Sequence, residues 1–381
     1  MVKRILVTML VLTMVIGLAA CTPKDPEVQT PPTPTGPDFK IGIMTGTVVQ
    51  NEEEYRMAEQ MKAKYGDMIV TTTYPAQFMS EQETIITNLT AMAADPLVKA
   101  LVICQAVPGM VAAIEKVRET RPDMLIIAGS PQEDPPTIAA RADISLQIDE
   151  IYHGLSVVST AARMGAETLI HYTFPRHMSI ELLAARRDLM IEECEKAGIE
   201  FVMVEAPDPT KEGGTPATQQ FIMENVPIQV AKYGEKTAFF GTNCSMQEPL
   251  IKQVIDYGAL YPLQCCPSPY HALPAALGIS IPDEKRGDVP YILDQIKAKL
   301  VDKDAADRVS TWPVPVNMLF IEAGVEYSKA YLEGTITEKA DLAKLQTIMS
   351  DAAGGYKIDL SKYENFENYF LVLCENLDFS K

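Results

Sequence analysis

A strict alternation of short apolar runs and amphipathic stretches begins at residue 39 and restricts this chain to one broad class of fold. Phe39-Lys40-Ile41-Gly42-Ile43-Met44 has the composition of a strand, and Glu52 to Tyr65 follows with helical spacing. Met68 to Tyr74, rich in Val and Thr, is the next strand. Ser80 to Ala94 is the next helix, with Ser80 as its cap and Glu83 three residues on, a capping box. Ala100-Leu101-Val102-Ile103-Cys104 and Met124-Leu125-Ile126-Ile127-Ala128 are apolar throughout, with a helix at Val111 to Glu119 between them. A strand needs such a run when both of its faces are covered. Ile144 to Ile148 follows a proline-rich loop. This alternation specifies a parallel sheet with helices on both faces.

The pattern then restarts. Glu150 to Met164 is helical, Thr168 to Tyr172 a strand, Ser179 to Ala197 a long helix and Glu200 to Glu205 a strand. Pro216 to Tyr233 is a helix with Pro216 in its first turn and Pro227 placed to kink it. Strands at Thr237 to Phe240 and Leu260 to Gln264 alternate with helices at Met246 to Tyr257, Pro269 to Leu277 and Val289 to Lys303. Asn317 to Glu333 and Ala340 to Ala352 are further helices, and Tyr369 to Cys374 is a late strand. The length exceeds one typical domain, and at 47% hydrophobic residues the chain can fill two cores. The expected class is α/β: two doubly wound parallel-sheet lobes with a cleft between them. In such sheets ligands bind beyond the carboxyl ends of the strands.

Here the chain resembles the type I periplasmic binding proteins. Beside the element order, three stretches carry the resemblance: EIYHGLSVVSTAARMGA from Glu150, FFGTNCSM from Phe239 and WPVPVNMLFIEAGVEYSKAYLEG from Trp312. They are similar to the helix after the first crossover between lobes, the late strand with its loop, and the return crossover with the last long helix. The resemblance implies an N-terminal lobe of residues 38–149 plus about 312–350. The C-terminal lobe is then 150–311 plus about 351–381, with Trp312 as a packing residue at the hinge.

The N-terminus adds an address. Lys3 and Arg4 precede an apolar run from Ile5 to Gly17, and Leu18-Ala19-Ala20 leads into Cys21. A charged start, a short apolar middle and a small-residue end make a secretory signal, residues 1–20. Leu-Ala-Ala-Cys resembles the lipobox of bacterial lipoproteins, which implies a palmitate-type lipid anchor on Cys21. Residues 21–38 hold Pro23, Pro26, Pro31, Pro32, Pro34 and Pro37 and read as an extended tether. At about 3.1 Å per residue it reaches up to ~50 Å. Anchor, spacer and bilobed fold together resemble the solute-binding lipoproteins of ABC importers, within an uncharacterised lipoprotein family. The implied partners are a small-molecule ligand, an ABC permease and the cell membrane, on its extracytoplasmic face. A sensor that presents its closed form to a signalling receptor has the same layout.

Charge and cysteines exclude other classes. The formal net charge is −18, and loss of the signal would remove only Lys3 and Arg4. Nucleic acid is a poor partner for such a chain. A regulator built on this fold needs a helix-turn-helix ahead of the first lobe; residues 1–38 read as signal and tether instead. Cys104, Cys194, Cys244, Cys265, Cys266 and Cys374 show no CxxC and no zinc-like spacing. They read as mostly reduced thiols, and the expectation is no cofactor, no metal and no enzyme. One Cys/His pairing, His271 just past Cys265-Cys266, suggests thiol chemistry or metal capture in an exported enzyme as the alternative.

Loops that follow strands supply the ligand candidates. In the first lobe they are Thr45, Gly46 and Thr47, read as opening a helix whose free N–H groups hold an oxygen-rich group, then Tyr74, Gln105 and Ser130. In the second they are Tyr172, Phe174 and Arg176, which combine charge with flat apolar faces, and Cys266. Arg176 also has Glu181 as a possible partner. Asn243 stands where the resemblance implies a ligand-binding Asn; Asn also caps helices. Sugar-binding members carry an Asp-Arg pair and a further Asp where this chain has Gly129-Ser130 and Cys266-Pro267. That departure argues against a simple monosaccharide and leaves nucleosides, amino acids and other small metabolites open.

Overall fold

The structure is a computed structural model that describes residues 38–380, apart from 49 and 287. The signal, Cys21 and the tether lie outside the described residues. The first half contains β1 (Lys40–Thr45), α1 (Glu52–Tyr65), β2 (Ile69–Thr73), α2 (Gln82–Ala93), β3 (Val98–Cys104), α3 (Met110–Thr120), β4 (Leu125–Gly129), α4 (Pro135–Ala139) and β5 (Ile144–Ile148). The second contains α5 (Glu150–Arg163), β6 (Thr168–Thr173), α6 (Pro175–Met178), α7 (Glu181–Ala197), β7 (Glu200–Glu205), α8 (Gly214–Tyr233), β8 (Thr237–Gly241), α9 (Gln247–Asp256), α10 (Leu273–Leu277), α11 (Val289–Asp302) and β9 (Ser310–Thr311). The chain ends with α12 (Val316–Leu332), α13 (Leu342–Ala352), β10 (Ile358–Lys362), β11 (Tyr369–Cys374) and β12 (Leu377–Asp378).

The first sheet has seven strands in the order β10-β11-β5-β4-β3-β1-β2. All neighbours are parallel except β10, which pairs antiparallel with β11. Every residue of β4 and β5 is buried, the double coverage their apolar runs require. The second sheet has the order β7-β6-β8, parallel throughout. Leu260 extends it by a bridge to Ala238, Tyr261 bridges Val309, and β9 pairs with β12.

Four expectations are corrected. Residues 358–374 were assigned to the C-terminal lobe, yet β11 pairs with β5 and carries β10 with it, so they complete the first sheet. The strand at Leu260 to Gln264 is reduced to isolated bridges, because Pro262 has no N–H to give a ladder. The helix at Pro269 to Leu277 begins only at Leu273, since Ala272 has φ +64° and breaks the helical path. The Ser80 capping box does not form: Ser80 Oγ donates to the Gln77 carbonyl, and α2 starts at Gln82 without a side-chain cap.

Two glycines set close approaches. A Cβ on Gly324 of α12 would lie 2.8 Å from Val102 Cγ1 of β3, and one on Gly154 of α5 would lie 2.8 Å from Arg186 Cγ of α7. The chain passes between the sheets three times: at β5–α5, at β9–α12 and at β11–β12. Two of these passages are tied to each other and to α5. Trp312 Nε1 donates to Asn376 Oδ1 at 3.0 Å, and Asn376 Nδ2 donates to Thr160 Oγ1 at 2.8 Å. Trp312 is 1% exposed, the packing position expected of it.

Candidate functional site

The carboxyl ends of β3, β4, β5, β6 and β8 point toward one another across a cleft. Gln105, Ser130, Gln132, Gln147 and Glu150 wall it from one side, and His177, Arg186, Thr242, Asn243, Cys244 and Cys266 from the other. The non-atom space between these walls, open solvent included, is about 540 Å³.

A chain of hydrogen bonds crosses this cleft. Glu54 Oε1 accepts from Asn317 Nδ2 at 2.6 Å, from Asn51 Nδ2 at 2.9 Å and from Gln105 Nε2 at 3.2 Å. Gln132 Nε2 donates to Gln105 Oε1 at 3.0 Å. From the second lobe, Arg176 donates through Nη1 to Gln132 Oε1 at 3.4 Å. Its Nε and Nη2 meet both oxygens of Asp208, at 2.9 and 3.3 Å. Gln105 Nε2 also reaches Cys244 Sγ at 3.8 Å, and Ser268 Oγ donates to Glu53 Oε2. Ser130 holds φ +47°, a left-handed conformation that costs a non-glycine residue energy, and its Oγ donates to Asn317 Oδ1 at 2.7 Å.

Burial shapes the charges. It raises the carboxyl of Glu53 to about 7 and that of Glu54 well above its usual range. Burial pushes Glu150 up as well, but the Arg186 guanidinium beside it outweighs this together with His153, and the net direction is down. Arg186 is 1% exposed, bonds to Glu150 and lies 4.9 Å over the Phe240 ring. Its Nε and Glu54 Oε2 are buried without a hydrogen-bond partner. Hydrogen bonds with Cys265 and Cys266 lower the Cys244 thiol to about 5, while burial raises Cys265.

The expected ligand residues divide. Gln105, Ser130, Asn243 and Cys266 wall the cleft, and Tyr74 and Arg176 wall its outer part beside Gln77, Phe78 and Thr210. Asn243 Oδ1 accepts from Ser245 N at 3.0 Å, so it caps the following turn while facing the cavity. Thr45, Gly46 and Thr47 are corrected: they do not open a helix. α1 begins at Glu52, and the Thr47 carbonyl instead closes a turn with the N–H groups of Gln50 and Asn51. Tyr172 and Phe174 are also corrected. Tyr172 faces away from the cleft, stacked on Phe239 with its hydroxyl donating to Asn225. Phe174 is buried beneath His177 and the Arg176 guanidinium. The suggested Arg176–Glu181 pair is replaced by Arg176–Asp208; Glu181 accepts from the Tyr363 hydroxyl.

Sequence reasoning missed Glu53, Glu54, Arg186 and Asn317. A signal existed for three of them. Glu53 and Glu54 lie one turn ahead of Met57 and Ala58, and Arg186 lies between Leu182 and Met190, all on buried helix faces. A charge in phase with an apolar stripe needs a partner.

The comparisons with known proteins agree with this architecture. A Clostridium difficile 630 protein described as a candidate transcriptional regulator superposes with a TM-score of 0.73 at 23% identity, over 89% of this chain and 99% of its own. A periplasmic ribose ABC transporter protein from Conexibacter woesei superposes at 0.54 with 13% identity, over 91% of this chain and 94% of its own. An ABC transporter solute-binding protein from Clostridium phytofermentas, with bound L-rhamnose, superposes at 0.53 with 10% identity, over 91% of this chain and 97% of its own. Identities this low establish the fold, which is that of the type I periplasmic binding proteins. Among described residues, no helix is long and apolar enough to cross a membrane. Two uncharacterised proteins of Treponema pallidum (strain Nichols) are 38% identical over 170 residues and 37% identical over 179. Each alignment spans 45% of this chain, and 79% and 81% of the respective relative. Residues 39–310 match the model of a family described as protein of unknown function (DUF3798), and the chain belongs to that family.

Proposed function

We propose that the chain is a lipid-anchored, extracytoplasmic solute-binding protein that closes two lobes on a small polar solute and presents the closed form to an ABC permease. The observation that carries this reading is the cleft itself. Polar side chains from both lobes meet at the carboxyl ends of both sheets, and a buried polar atom of one wall residue, Arg186 Nε, lacks a partner. An orphaned donor costs about 1–3 kcal/mol, and a solute oxygen at Arg186 would remove that cost. The solute then favours the closed state through contacts made to both lobes at once. The ABC solute-binding proteins of the same fold support the reading, which makes the chain a binder and not a catalyst.

A thermal-shift screen of nucleosides, amino acids, sugars and short peptides tests it. A true solute should raise the melting temperature with concentration as mass action requires. Gln105→Ala and Asn243→Ala should remove the shift without lowering the melting temperature of the solute-free protein by a comparable amount. A screen in which no solute stabilises the wild type defeats the proposal.

A further inference from the structure

The loop after Tyr261 brings donors for a soft metal ion to one point in the cleft. Sγ of Cys244, Sγ of Cys265 and a ring nitrogen of His271 all lie within 4.8 Å of one another. The Cys244–Cys265 and Cys244–Cys266 sulfur separations are both 3.7 Å. Thiolates around a tetrahedral Zn²⁺ sit at about 2.3 Å from the ion, hence about 3.8 Å from each other.

Sulfurs in plain van der Waals contact come as close, so three further features matter. His271 Nδ1 lies 2.8 Å from the Cys266 carbonyl oxygen. That bond fixes the tautomer and leaves the lone pair on Nε2, the outer-shell arrangement of metal-bound histidines. Glu53 approaches from the first lobe: its Oε2 accepts from Ser268 on the same loop, while its Oε1 is buried with no partner. Among the described residues neither Glu53 nor Glu54 has a Lys or Arg partner, although they are 6% and 0% exposed. A buried carboxyl group either keeps a proton or gains a countercharge, and a divalent ion would supply the second. Cavities on two sides reach Cys244, which gives the ion a way in.

We infer that Cys244, Cys265 and His271 hold one thiophilic divalent cation of the Zn²⁺ class, with Glu53 of the opposite lobe as a nearby countercharge. Binding forms two sulfur–metal bonds as the thiols of Cys244 and Cys265 release their protons to water, and no electron moves. This goes beyond the solute-binding reading: the ion occupies the cleft whether or not anything is delivered to a permease.

The test is a Co²⁺ titration of the full-length chain, stripped with a chelator and held under a non-thiol reductant. One equivalent should produce a cobalt–thiolate charge-transfer band with the visible bands of a tetrahedral site, displaced by Zn²⁺. Cys244→Ser should remove that band or weaken Zn²⁺ binding at least 10–100-fold, roughly the loss that an outer-shell change alone produces. Glu53→Gln should weaken binding but keep the band. Cys374→Ser, on β11 of the first sheet, should change neither. A folded, reduced wild type with no thiolate band overturns the inference, and so does a Cys244→Ser variant whose band and Zn²⁺ affinity both match the wild type. The wild-type spectrum decides even where Cys265→Ser fails to fold. An empty cobalt titration leaves the organic-solute screen standing, and an empty screen leaves the cobalt spectrum standing.

Discussion

Arg186 shows most plainly how single residues carry this cleft. It occupies the buried face of α7 with Leu182, Met190 and Cys194, and it neutralises Glu150 across the packing of α5 on α7. Arg186→Met should cost about 3–5 kcal/mol, because it strands a buried carboxylate. Adding Glu150→Leu should recover much of that loss, and urea denaturation of the single and double variants reads both. His171 makes a second prediction. It lies between the Phe201 and Phe240 rings with both ring nitrogens unpartnered, and burial, aided by Arg186 and Arg187, lowers it to about 3. The unfolded chain takes up the proton near the usual 6.5, so His171 lends full stability above that pH. The contribution falls as pH drops toward 3, by about 1.4 kcal/mol per unit. Relative to wild type, His171→Leu should therefore gain about 2 kcal/mol between pH 8 and pH 5, measured by denaturation at each pH. Position in a strand-end loop was enough to place Gln105, Ser130 and Asn243 on the cleft wall. It failed for Tyr172, because successive strand residues alternate faces and the phase of β6 is set by packing that the sequence does not display.

At the scale of elements, continuous apolar runs made β3, β4 and β11 legible, since only a strand covered on both faces tolerates them. β10 was not legible: Ile358–Lys362 has the exposed, mixed composition of an edge, and its strand character comes from pairing with β11. The same pairing explains why the tail was placed in the wrong lobe, because sequence order says nothing about which sheet a late strand returns to. α12 was expected, and its closeness to β3 depends on Gly324. Gly324→Val should push α12 off Val102 and destabilise the first lobe by roughly 1–3 kcal/mol, as overpacking does. The unfolding midpoint reads this, and a change of similar size at exposed Ala343 would show that helix propensity, not the close approach, is responsible.

For the whole molecule, the address and the fold are separate claims. The reading of Cys21 as a lipid anchor predicts that cells fed a labelled palmitate analogue will label the wild-type chain and not Cys21→Ala, and that the variant will leave the membrane fraction. Labelling that persists in Cys21→Ala removes the anchor from the account. The folded part raises a different matter through its three passages between the sheets. Two of them are tied to each other, Trp312 to Asn376, and to α5 through Thr160. Three connectors between two bodies would resist twist and sliding, because either motion would stretch them unequally, and would leave rotation about one axis as the easiest motion. Under the proposed solute-binding role, whatever fills the space between the halves would be translated into a single angle, and a partner touching both outer rims would need to gauge nothing else.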